Sequence, residues 1–209
     1  MNSPIALIPA GGLSTRMGRP KLSLLLGGKA VLVRVIESLR QAGVERVLTV
    51  VGPVVPELVP LARDAGSEVL LLEEQTKGMR GSVERGLEWI ERTWRPSGQD
   101  SWLLVLADQP VLNPEVVRRL MREWPGQTAS ILIPTFQGRR GHPTLLGWRH
   151  AIGIRALDPA FRLNAYIRSQ WAETREVPVD DPDILNDLDT PADYERWRQR
   201  CEGGERTGA

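Results

Sequence analysis

The chain has 209 residues, 41% of them hydrophobic and 25% charged, with a formal net charge of +1. That length allows one large domain or two cramped ones, and the near-neutral balance excludes a whole-molecule attraction to nucleic acid or membrane. A lone cysteine, Cys201, excludes an internal disulfide and a metal–thiolate cluster.

Residues Ile5 to Ile8 form a short apolar run that predicts a buried strand. The next segment, Ile8-Pro-Ala-Gly-Gly-Leu-Ser-Thr-Arg-Met-Gly-Arg-Pro-Lys21, carries three glycines, two hydroxyls and three cations, with no acid. Val31, Leu32, Val35, Ile36 and Leu39 then repeat at helical spacing, and Gly43 closes that helix. Val47 to Val51 reads as a second strand, Pro56 to Ala65 as a helix and Val69 to Leu72 as a third strand. Val83, Leu87, Ile90 and Trp94 line one face of a helix that stops at Arg95-Pro96. Trp102 to Leu106 predicts a fourth strand, running into Ala107-Asp108. Asn113 and Pro114 open a further helix with Val116, Val117, Leu120, Met121 and Trp124 inward. Ser130 to Ile133 predicts a fifth strand. The regularity then fades until Thr190-Pro191 opens a last helix through Arg200.

Continuous apolar strands separated by helices predict a parallel sheet covered on both faces. We expect one α/β domain over 1–201, with 202–209 as a disordered tail. Met1-Asn2-Ser3-Pro4 lacks the pattern of a secretory signal. No apolar run approaches the ~20 residues of a membrane helix, so a cytoplasmic protein is expected.

Ligands of open α/β sheets sit beyond the carboxyl ends of the strands, which is where the glycine-rich segment lies. Glycines let backbone N–H groups approach an anion, and Ser14, Thr15, Arg16 and Lys21 add donors and charge. Gly18 is followed by Arg19-Pro20-Lys21, so the segment is not a P-loop, and Gly11, Gly12 and Gly18 miss the dinucleotide spacing. A phosphate-binding loop of another kind, or a solvated loop with incidental charge, remains.

The pattern A-G-G-x-S-x-R-M-G-x-x-K after a first strand resembles the signature of the molybdenum cofactor nucleotidyltransferases, a branch of the nucleoside-triphosphate transferase superfamily. Four further segments resemble that family in the same order: GMRGSVERGL (78–87), LADQP (106–110), RRGHPTLL (139–146) and NDLDTPADY (186–194). The resemblance implies a three-layer sandwich on a Rossmann-like, mainly parallel twisted sheet of the nucleotide-diphospho-sugar transferase type. It implies transfer of a nucleoside monophosphate from a triphosphate to a phosphorylated, molybdopterin-type acceptor, with Mg²⁺ and release of pyrophosphate. Contact with molybdoenzyme maturation factors follows from it too.

On that resemblance Ala10, Gly11, Gly12, Ser14, Arg16, Lys21, Gly78, Met79 and Ser82 would hold the nucleotide, with Arg16 and Lys21 on the phosphates. Asp108 would bind metal, as its position after an apolar strand also suggests. Asp187 or Asp189 would approach the metal from the other side, although Asp189-Thr190-Pro191 would serve equally well as a helix cap. Gln109, Arg140, Gly141 and His142 would face the acceptor.

Ala10-Gly11-Gly12 favours GTP, whereas Gly78-Met79 with Ser82 and the Arg-Gly-His-Pro segment favour CTP; two features against one select CTP. Arg80, where relatives carry small residues, and DPAFRLNAYIRSQ (158–170), where they carry Gly-Asp-x-Gly-Ala-Arg, depart from the pattern. A nucleotidyltransferase acting on a phosphosugar or another phosphorylated metabolite, and a non-catalytic nucleotide-binding regulator, are the competing readings.

Overall fold

Alternation within the first strand sets the architecture. In β1 (Ile5–Ala10), Ala6, Ile8 and Ala10 join one hydrophobic cluster while Ile5 and Leu7 join another on the opposite side. A strand that is apolar on both faces needs cover on both, and the computed structural model provides it. The model describes residues 3–12, 17, 18, 20–124, 129–158 and 160–204.

The elements follow in chain order. A two-residue pair, β2 (Leu25–Leu26) and β3 (Lys29–Ala30), leads into α1 (Val31–Gln41), β4 (Arg46–Val51), α2 (Leu58–Asp64) and β5 (Glu68–Leu71). Then come α3 (Gly78–Trp94), β6 (Ser101–Leu104), α4 (Pro114–Glu123), β7 (Ile131–Phe136), β8 (Arg139–Arg140) and β9 (Thr144–Gly147). The chain continues with α5 (Arg149–Arg155), α6 (Leu163–Ser169), β10 (Thr174–Pro178) and α7 (Pro191–Gly204).

Local chemistry accounts for several boundaries. Asn113 caps α4, its side chain accepting from the Glu115 N–H at 2.9 Å, with Pro114 in the first turn. After α1, Val44 N–H reaches Leu39 O and Gly43 N–H reaches Arg40 O, both at 3.0 Å, the paired bonds of a Schellman ending.

The main sheet runs β10-β7-β9-β6-β1-β4-β5, with β8 attached to β7. β6, β1, β4 and β5 are parallel neighbours, and β10 is parallel to β7, but β9 is antiparallel to both β6 and β7. The sheet is mainly parallel as expected, and this inserted strand makes it mixed. One face is covered by α1, α2, α4 and α7, which supply Leu32, Ala62, Leu120 and Trp197 to one cluster. The other is covered by α3, α5 and α6, which supply Leu87, Ile154 and Ile167.

Several boundaries differ from the sequence reading: α2 starts at Leu58 rather than Pro56, and β7 runs Ile131–Phe136 rather than Ser130–Ile133. β6 ends at Leu104 rather than Leu106, although Val105 still donates to Leu7 O at 3.1 Å. α7 continues to Gly204, taking in the first three residues of the expected tail, and 205–209 lie outside the described residues. Among the described residues no helix is long and apolar enough to cross a membrane.

Candidate active site

At the carboxyl edge of the parallel strands lies an open cleft of about 590 Å³, within the range of small-molecule sites. Its wall is built from the ends of β1, the segment after β5, the start of α3, the turn after β6 and the segment before α7.

The glycine-rich segment enters it through Ala10, Gly11 and Gly12. Gly11 sits where its neighbours leave no space: a Cβ there would stand 2.9 Å from Ser82 Oγ and 3.7 Å from Gly52 Cα. Gln75 fixes the turn from outside, its Nε2 donating to Gly11 O at 2.7 Å. Ser82 is buried and its hydroxyl lies 2.9 Å from Thr76 Oγ1. Ser14, Thr15 and Arg16 lie outside the described residues.

Lys21 opens a short 3₁₀ turn, Lys21–Ser23, with Leu22 anchored in the core. Its ammonium is 2.6 Å from Asp108 Oδ2 and 2.9 Å from Asp189 Oδ1, and its side chain is only 15% exposed. Burial works against its charged form, but the two carboxylates outweigh burial and hold the Lys21 pKa above its ordinary value. The lysine expected on the phosphates is thus, in this structure, a partly buried bridge between two acidic segments.

Asp108 lies four residues beyond the end of β6, and its backbone carbonyl accepts from Leu188 N–H at 2.9 Å. That bond draws Asp187 and Asp189 to the same place. Asp108, Asp187 and Asp189 each offer a carboxylate oxygen, and these oxygens all lie within 4.8 Å of one another. Partial burial and the negative charges of Asp108 and Asp189 push the Asp187 pKa up, with Lys21 opposing them. Excess negative charge among hard oxygen donors is what a small divalent cation relieves, so the donor set fits a metal of that kind.

The capping alternative for Asp189 falls to its neighbour. Thr190 Oγ1 accepts from Asp193 N–H at 3.2 Å while Asp193 Oδ2 accepts from Thr190 N–H at 2.9 Å, a reciprocal capping box. Thr190 caps α7, which leaves the Asp189 carboxylate for Lys21.

The four residues expected on the acceptor side separate. His142 lines the cleft; burial lowers its pKa, with Asp108 opposing, and its buried Nδ1 has no hydrogen-bond partner among the described residues. Gln109 does not line it, because its buried amide donates to Ile184 O at 3.0 Å and holds the segment before α7 in place. Gly141 backs onto Ile184, and Arg140 is turned to solvent, its Nε 2.7 Å from Glu176 Oε1. Gly78 and Met79 line the cleft.

Sequence reasoning missed Gln75, Thr76 and Asn164, which also line it. The first two could have been found from their place just beyond a strand's carboxyl end. Asn164 stands in α6, where the periodicity gave no signal.

The family model described as the MobA-like NTP transferase domain matches residues 6–175. A molybdenum cofactor guanylyltransferase of Rhodopseudomonas palustris is 30% identical over 201 residues, covering 91% of this chain and 89% of that protein. One of Rhizobium meliloti is 31% identical over 183 residues, covering 84% of this chain and 79% of the relative. Among solved structures, Rv0371c from Mycobacterium tuberculosis H37Rv has the same fold, with a TM-score of 0.78 at 24% identity over 95% of this chain and 100% of that one.

Proposed function

This chain belongs to the MobA-like NTP transferase family, a nucleotidyltransferase family, and from that premise we propose that it moves GMP from GTP to a molybdenum cofactor acceptor. The observation that carries the reading is the convergence of the glycine turn, Lys21 and three carboxylates in one cleft at the sheet's carboxyl edge.

Guanine replaces the cytosine that the sequence selected, because two relatives are named guanylyltransferases and because parts of the two features that outvoted Ala10-Gly11-Gly12 are engaged within the protein. Ser82 spends its hydroxyl on Thr76 and packs against Gly11. In the Arg-Gly-His-Pro segment, Arg140 points away from the cleft and Gly141 is pressed on Ile184. Gly78, Met79, Ser82 and His142 still line the cleft, so the choice of guanine rests on Ala10-Gly11-Gly12 and on two relatives that are named guanylyltransferases.

In the reaction an anionic oxygen of the acceptor's phosphate attacks the α-phosphorus of GTP. A new P–O bond forms, the bond to the α–β bridging oxygen breaks, and pyrophosphate leaves with the electron pair. No protein nucleophile is needed. The amides around Gly11 and Gly12 cradle the phosphates, and Lys21, which bridges Asp108 and Asp189 in this structure, would offset phosphate charge once a cation takes over those carboxylates. Asp108, Asp187 and Asp189 would hold Mg²⁺, which supplies charge compensation at the α-phosphate. His142 and its surroundings position the acceptor, and catalysis comes from orientation and electrostatics.

Thermal-shift titration with Mg²⁺ and each triphosphate tests the base: a ligand at ~100 times its Kd stabilises by ~2.7 kcal/mol, so GTP should raise Tm well above CTP. A larger shift with CTP overturns the guanine reading. Absence of pyrophosphate release with GTP and molybdenum cofactor overturns the reaction.

A further inference from the structure

Two departures from the family pattern, Arg80 and the 158–170 segment, touch each other. The Arg80 guanidinium donates to the backbone carbonyls of Leu157, Asp158 (2.6 Å) and Phe161 (2.7 Å), and to Glu84 Oε1 at 2.6 Å. Its side chain is 14% exposed. A planar guanidinium with several carbonyls in its fork fixes orientation as a single lysine contact does not. Arg80 lies in the first turn of α3, directly after the cleft-lining Met79, and the carbonyls it grips lie just before α6, whose Asn164 lines the same cleft. The clamp therefore ties the two walls of the cleft together.

Asp108, beyond β6, divides that cleft. The glycine turn and Gln75 belong to the β1-β4-β5 half of the sheet, and His142 belongs to the β9-β7 half. α6 goes with the second half, since its Tyr166 meets His150 at 3.0 Å and lies against Gly153, both in α5, the helix that follows β9.

We propose that Asn164 contacts the phosphorylated acceptor and sets selectivity for it, and that Arg80 is the positioning residue that holds Asn164 there. This rests on the nucleotidyl-transfer reading above. Asn164 is exposed, so its substitution leaves the core untouched.

The test is steady-state kinetics with GTP, Mg²⁺ and molybdenum cofactor, alongside calorimetric GTP binding. Asn164→Ala should raise the acceptor KM by about tenfold, the loss of one good hydrogen bond, and leave GTP affinity unchanged. Asn164→Asp should raise it further, because a carboxylate opposes an anionic acceptor, an ordering that a purely structural role would not produce. Arg80→Ala should raise the same KM and speed hydrogen exchange across 160–168, and Arg80→Lys should recover little of either. In the double alanine variant the acceptor KM should match that of Asn164→Ala, as for residues acting through one contact.

An acceptor KM within twofold of wild type in both Asn164 variants, with wild-type turnover intact, overturns this inference alone. Wild-type protein that transfers nothing overturns the parent reading and this inference with it.

Discussion

Lys21 is where the sequence and the folded chain differ most in meaning. The family resemblance put a cation near phosphates, but only the fold shows that the ammonium already neutralises Asp108 and Asp189. Lys21→Ala removes that counter-charge from three crowded carboxylates, so added Mg²⁺ should raise the variant's Tm more than the wild type's. Equal shifts in a calorimetric scan would mean that the lysine does not balance the acids. Asp108→Asn keeps the shape but removes a charge that a hard cation favours. Its pyrophosphate release should fall by at least ~100-fold, as when one electrostatic element of a reaction centre is lost, while GTP still binds. Normal turnover at low Mg²⁺ would exclude Asp108 as a metal ligand. Asp108 and Lys21 were legible because strand-end position and motif both mark them. Gln109 and Arg140 were misplaced because adjacency in sequence says nothing about which way a side chain leaves the backbone.

Helices α1, α3 and α4 were legible because each buries one apolar stripe at helical spacing. β9 and β10 were not, for opposite reasons. Thr144–Gly147 is fully buried but has four residues, too few to display a period. Thr174–Pro178 lies at the sheet's edge with Val177 alone fully buried, so it reads as polar loop. Close packing of an element was equally hidden. Gly86 brings α3 against the sheet so tightly that a Cβ would collide with Leu7 Cδ1 and stand 2.9 Å from Val50 Cγ2. Gly86→Ala gains helix propensity yet overpacks a filled core, and overpacking of this sort costs about 1–3 kcal/mol. A urea titration should show a lower midpoint with an unchanged slope; a higher midpoint would show that propensity prevails.

At the scale of the whole molecule, the pole away from the cleft carries its own polar cluster. Buried His150 has Nε2 2.7 Å from Ser130 Oγ and Nδ1 3.0 Å from Tyr166 OH, with Glu173 and Arg149 alongside. Burial lowers the His150 pKa, Glu173 opposes and Arg149 reinforces. The unfolded chain therefore takes up its proton first, so this contribution is complete above about pH 6.5 and declines as pH falls through that value. Glu173, held low by Ser130 and Arg149, contributes above the ordinary carboxylate range and is lost only in stronger acid. Urea midpoints should drop from pH 7 to 5.5 in wild type and less in His150→Gln; parallel curves would assign the loss elsewhere. The cleft at the other pole has a different dependence, on order of synthesis. Lys21 and Asp189, bonded at 2.9 Å, are 168 positions apart. A ribosome delivers the glycine turn and Asp108 long before Asp187 and Asp189. A chain that stops short of Asp187 thus lacks two of the three clustered carboxylates, and with them Leu188 and Trp197 from the core, so completion of the acidic cluster and closure of that face of the sheet wait on the same last segment.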